Sequence, residues 1–124
     1  MMNLASNINF FLGLQNQIKI NHWQTKSYAR HKAFGDYYEA MDGLIDQFVE
    51  AAIGKYGRFQ LSDETKTLEL NNLSDLDVKG LLETVKKALI QIGEQLAPED
   101  TDLVNLRDEM LQETNKLLYL LTLK

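Results

Sequence analysis

A chain of 124 residues, 44% hydrophobic and 25% charged with one proline, is the size of one domain with its own core, and it reads as a single helical domain over residues 1–124. Its 13 basic and 18 acidic residues leave a formal net charge of −5, which argues against nucleic acid as the main partner, because polyanion binding needs a basic face or tail. Cysteine is absent, which excludes a disulfide framework and a redox thiol and fits a cytoplasmic protein; the first twenty residues carry neither a basic n-region nor a bilayer-long apolar run, so neither a signal peptide nor a membrane span is predicted.

Leu4, Ile8, Phe11 and Ile18, with Gln15 and His22, follow the spacing of one helix face and predict a first helix over about Asn3 to Lys26. Phe10 and Leu14 widen the stripe to that of a helix packed in a bundle. His22 continues the stripe, and Trp23 beside it is a large apolar body with one N–H to satisfy. The plain expectation for a lone histidine there is a hydrogen-bonded core residue.

Thr25, Lys26 and Ser27 suit a short turn, after which a second helix begins at Ser27 or Tyr28 and runs to about Lys55 or Tyr56, with Gly54 and Gly57 as stop signals. Its apolar stripe is Phe34, Tyr37 or Tyr38, Met41, Leu44, Ile45, Phe48 and Ala52. Glu39, Asp42, Asp46 and Glu50 line its edge; such a row is ordinarily a solvated face. Ile45 and Val49 adjoin Asp46 and Glu50, which puts that pair at the boundary of the buried surface.

Residues 58–73 break the helical pattern. Extended, they reach about 50 Å, more than the roughly 40 Å length of the second helix, so they can cross the whole bundle. Ser74 and Asp77 form a capping-box pattern, and Val78, Leu81, Leu82, Val85, Leu89, Ile92 and Leu96 give a third helix ended by Pro98. A fourth starts within Pro98 to Asp102, where Glu99, Asp100 and Asp102 complement a helix N-terminus, and carries the stripe Leu103, Leu106, Met110, Thr114, Leu117, Leu121. Two short connections and one long crossover predict an all-α four-helix bundle of the ferritin-like variant.

The candidate chemistry lies in residues 22–50, which hold both histidines of the chain and the Asp46–Glu50 pair one helical turn apart. Neutral imidazole and carboxylate suit iron, manganese or zinc, and without cysteine any such site must draw on these groups. The chain has no Glu-x-x-His motif, so the usual di-iron centre inside one bundle is excluded. Asp46 also lies fifteen residues beyond His31, roughly 22 Å along the helix. A twofold axis through the middle of the second helix would bring Asp46 and Glu50 of one chain towards His22 and His31 of another.

His22-Trp23, His31, Asp46 and Glu50, in this order and with Met41-Asp42-Gly43 between, resemble the signature of the Dps-type mini-ferritins over about thirty residues. The resemblance implies that His22, His31, Asp46 and Glu50 ligate iron at a subunit interface and oxidise Fe(II) with oxygen or peroxide, with Trp23 beside the bound ion, in a homo-oligomer that stores iron. The segment between the histidines is shorter than is usual in that family, and there is no Lys-rich tail of the kind it uses to bind DNA. The alternative is a non-enzymatic bundle, accessory or phage-encoded, that acts as an oligomeric structural or interaction protein, with Asp46 and Glu50 paired to Lys or Arg instead of facing histidine.

Overall fold

The computed structural model describes residues 2–123, and among them it has four helices and no strand: α1 (Leu4–Gln24), α2 (Tyr28–Tyr56), α3 (Asp75–Glu94) and α4 (Thr101–Leu120). Each boundary has a local cause. The Asn3 side chain accepts from the Ser6 N–H and the Ser27 hydroxyl from the Arg30 N–H, satisfying donors that the first turns of α1 and α2 leave over. Gly57 ends α2 at φ 91°, a conformation that favours glycine. The Ser74–Asp77 capping box forms with both of its bonds, 3.2 and 3.3 Å.

The four stripes meet in one core in which Phe11, Phe34, Phe48, Ile18, Met41, Leu82, Leu89, Leu103, Met110 and Leu117 are buried. Phe11 and Phe48 pack edge to face at 5.6 Å, tying α1 to α2 at mid-height. At the margins Phe10, Tyr38, Leu44, Leu81, Leu96, Leu106 and Leu121 are only partly buried, because the bundle covers a narrower arc of each helix than the stripes occupy.

Polar contacts fix the direction of each helix. The Asn3 N–H and Asn7 side chain reach Gln95 just beyond α3, at 3.1 and 3.0 Å, while Thr25 beyond the other end of α1 bonds Asp75 at the start of α3, at 3.0 Å. α1 and α3 are therefore antiparallel, α2 and α3 run the same way, and the connection between them returns along the length of the bundle.

That return is held by amide side chains rather than by helix; over residues 58–73 only a turn at 63–66 forms. The Asn9 amide donates to the carbonyls of Thr65 and Thr67, at 2.9 and 2.8 Å. Gln17 exchanges two bonds with the Asn71 backbone, 2.9 and 2.8 Å, and Asn21 donates to the Leu73 carbonyl at 3.0 Å. An extended strap without strand partners thus has five backbone groups, at Thr65, Thr67, Asn71 and Leu73, satisfied by side chains of α1.

At the far end, Asp100 is buried and does not cap α4. Its carboxylate accepts instead from the Ala97 N–H at 2.9 Å, from the Tyr56 hydroxyl and from Lys55 at 3.2 Å, while Lys55 also pairs with Asp102. The acidic run read as complementing a helix N-terminus therefore mainly fastens the end of α2 to the start of α4.

Candidate functional site

His22 comes from the last turn of α1 and His31 from the first turns of α2, and the turn at 25–27 folds them onto one another. Their rings stack with centroids 3.8 Å apart and planes 14° from parallel. The Nδ1 of His22 lies 2.6 Å from the carbonyl oxygen of His31, and the Nδ1 of His31 lies 2.8 Å from that of His22. A carbonyl can only accept, so each Nδ1 carries the proton and each ring clasps the other residue's backbone. Tyr38 meets the His22 ring edge-on at 5.4 Å, and Lys19 lies over the Tyr38 ring at 5.3 Å.

Gly35 makes room for the clasp: a Cβ there would stand 3.0 Å from Cε1 of His22. His22 is half-buried rather than a full member of the core, and His31 is exposed. Trp23 is not packed beside the pair. It follows the inward-facing His22 by about 100° of helix rotation and projects outward, 67% exposed.

Asp46 and Glu50 both lie on the outer face of α2, exposed to solvent rather than at the edge of the core. A hydrogen bond from Glu50 to Asp46, with the repulsion of the Asp46 charge behind it, raises the Glu50 carboxyl above its ordinary value. Among the described residues none of Glu39, Asp42, Asp46 and Glu50 is in an ion pair. Midway along the same face is Gly43, with nothing within 4 Å of where a Cβ would stand.

One chain thus brings His22 and His31 together and Asp46 and Glu50 together, but leaves the two pairs roughly 22 Å apart along α2. Among the described residues no group of three or more His, Asp and Glu could hold a metal ion. Two stacked imidazoles with no carboxylate beside them do not make up a centre for iron, manganese or zinc within the chain.

Gln15 falls on the buried stripe that the spacing predicts, but the other buried amides, Asn7, Gln17 and Asn21, lie outside it. Their signal is the density of Asn and Gln in a helix that the apolar stripe alone would have marked as merely amphipathic. Nor does chain order mark the Tyr56–Asp100 contact, whose partners lie forty-four positions apart. No helix among the described residues is long and apolar enough to cross a membrane.

Comparison with known proteins changes the family. A stretch of 37 residues is 49% identical to the "Uncharacterized 14.6 kDa protein in mobD-ri intergenic region" of Enterobacteria phage T4; the match covers 30% of this chain and 29% of that protein, so less than a third of the relative's length is spanned. No solved structure matches. Nothing in the comparisons points to the Dps-type mini-ferritins, and the resemblance drawn from His22-Trp23, His31, Asp46 and Glu50 is corrected: those residues keep the order of that signature without its family. The model of a different family, described as a family of unknown function (DUF5856), matches residues 22–121, from the first of the clasped histidines to the residue after α4, and the chain belongs to that family.

Proposed function

We propose that the protein is a non-enzymatic helical bundle that works by association, as a homo-oligomeric structural or interaction protein, and that copies meet through the outer face of α2. The observation that carries this is the exposed outer face of α2, where Asp46 and Glu50 stand one turn apart with no cation paired to them among the described residues and the open Gly43 lies in the middle. Like charges at this spacing destabilise a helix, and an exposed mid-helix glycine costs about 0.5–1 kcal/mol relative to alanine, so neither is explained by the stability of the lone chain. An antiparallel copy related by a twofold axis near the middle of α2 accounts for both. It carries Glu50 of one chain to about one helical turn from Lys32 of the other, and glycine lets the two backbones approach.

The test is solution mass against concentration, by light scattering on a sizing column. Wild type is expected at twice the chain mass of 14.2 kDa or a multiple of it, and Gly43→Arg and the double variant Asp46→Lys, Glu50→Lys at the single-chain mass with helix content retained. A wild type that stays at the single-chain mass at millimolar concentration overturns the reading.

A second reading is a divalent-cation site shared between copies. Its support is the clasp: a metal-bound imidazole typically donates its other ring N–H to a carbonyl, as both Nδ1–H groups do here. Calorimetric titration of the oligomer with Mn(II), Zn(II) and anaerobic Fe(II) tests it. Heat that is lost in Asp46→Ala favours a shared site, and its absence leaves association alone.

A further inference from the structure

The four helices do not enclose one another evenly. α1 packs on α2, α2 on α4 and α4 on α3, whereas α1 and α3 touch only sparsely. Between them lies a slot of about 280 Å³, with Phe10 and Leu14 of α1 and Leu81 and Val85 of α3 as its walls and Leu68 and Leu73 of the strap as its roof. The roof covers the slot without filling it. A Cβ at Gly13, in one wall, would meet only the Leu68 Cδ2 beyond its own stretch of helix, and that at 3.9 Å. Protein interiors leave few voids larger than a water molecule, so this seam is covered rather than packed.

The cover is fastened differently from everything beneath it. Over residues 60–72 every position but Thr65 is exposed, and of the strap's apolar side chains only Phe59 and Leu73, at its two ends, pack against the core. The middle is held by polar bonds alone: Asn9 to Thr65 and Thr67, Gln17 to Asn71, and Gln24 to the Asn72 side chain at 2.8 Å. The strap groups in these bonds lie at or near the surface, where water can replace each amide once the chain lifts. No helix–helix contact has to break. At one end Gly57, with nothing within 4 Å of where its Cβ would stand, leaves room to pivot; at the other the Ser74–Asp77 box keeps the start of α3 in place. Segments with few buried apolar contacts and exposed hydrogen bonds open at a lower cost than the whole fold.

We propose that residues 60–72 form a lid, which lifts from α1 as one unit between the packed ends Phe59 and Leu73 while the four helices stay assembled, and so opens the apolar slot between α1 and α3. The amides of α1 are its latch. The device is independent of the α2 contact, which lies on a different face and shows in solution mass instead.

The chain has no cysteine, so a single introduced thiol reports its own surroundings. Val85→Cys places it in the wall of the slot and Met110→Cys in the core of α4, and the two native side chains are equally buried, at 1% and 0% exposure. Leu81→Cys, in the same wall as Val85, is a second reporter should Val85→Cys fold poorly. The measurement is the rate of modification by iodoacetamide under native conditions, with the global stability of each variant followed by urea unfolding. The slot thiol is expected to react about a hundredfold faster than the core thiol, because it needs only the lid to lift. Asn9→Ala removes two latch bonds and replaces asparagine with a better helix former, so it should speed the slot thiol about fivefold without lowering global stability or speeding the core thiol. A slot thiol that reacts no faster than the core thiol, an equal acceleration of both by Asn9→Ala, or a fast slot thiol that Asn9→Ala leaves unchanged each overturns the proposal.

Discussion

Two glycines of α2 behave oppositely, and the difference is what surrounds them. At Gly35 a methyl group meets the His22 ring at 3.0 Å, so the helix-propensity gain of about 1 kcal/mol from Gly35→Ala is opposed by an overpacking cost of about 1–3 kcal/mol, and the ring must leave its stack. Gly35→Ala is therefore expected to be neutral to destabilising in thermal unfolding, with changed histidine ring resonances. At Gly43 the space is open, and Gly43→Ala should stabilise the dilute single chain by about 1 kcal/mol while weakening self-association. A stabilised Gly35→Ala with unmoved histidine resonances would show that the clasp is not packed as described. Tyr37 gives a second test at this scale. Burial pushes its phenol up to about 12 from an ordinary 10.0, only partly offset by its bond to Thr114. A raised folded value means stability that is whole below pH 10 and is lost as pH rises towards 12. Tyr37→Phe should flatten that alkaline limb, and an unchanged limb would assign it to another group.

At the scale of elements, the strap between α2 and α3 depends on α1 amides more than on its own sequence. Gln17 is buried and serves both the N–H and the C=O of Asn71, so Gln17→Ala leaves two backbone groups without partners and should cost about 1–3 kcal/mol. The accompanying sign is faster hydrogen exchange at the Asn71 amide, with the α3 core amides unchanged; unchanged exchange at Asn71 would mean that the strap is held elsewhere. The opposite end answers to acid. The Tyr56 hydroxyl holds the Asp100 carboxyl below its ordinary 3.8, and Lys55 does the same for Asp102. Lowered folded values give stability that is present above about pH 4 and lost as pH falls through and below that range. Asp100→Asn should therefore be less stable than wild type at neutral pH and lose less on acidification. The elements themselves were legible in the sequence: Ser27, Gly57 and the Ser74–Asp77 box mark ends by local chemistry, and the stripes Leu4–Ile8–Phe11 and Val78–Leu82–Val85–Leu89 mark faces by period. What was not legible depends on partners distant in the chain. Asp100 reads as a helix-end acid until Tyr56 and Lys55 are seen beside it, and Trp23 reads as an apolar body packed beside His22 until it is seen that His31 and Tyr38 take up the space around that ring.

For the whole molecule, sequence order and spatial assembly part company at the candidate site. His22, His31, Asp46 and Glu50 stand in an order that suggests a metal centre, and period puts the carboxylates at the edge of the core, yet the fold leaves them on a helix face that no other described residue covers. The family to which the chain belongs then removes the resemblance that had given that order its meaning. What remains is a bundle with an acidic row along the outer face of α2 and with the exposed side chains Trp23, Tyr28, Leu76 and Tyr119 at the histidine end. The association proposed above places a second copy across the middle of α2. The chain has no cysteine, so single spin labels at Gln47→Cys and at Gly54→Cys, both exposed positions of α2, are unique in each copy. The decisive measurement is the label-to-label distance between copies by pulsed electron paramagnetic resonance. An antiparallel pairing about the helix middle predicts a short distance at position 47 and one about 20 Å longer at position 54, because each residue away from the axis adds its 1.5 Å rise on both chains. No dipolar coupling at either position, or the shorter distance at position 54, would contradict the account.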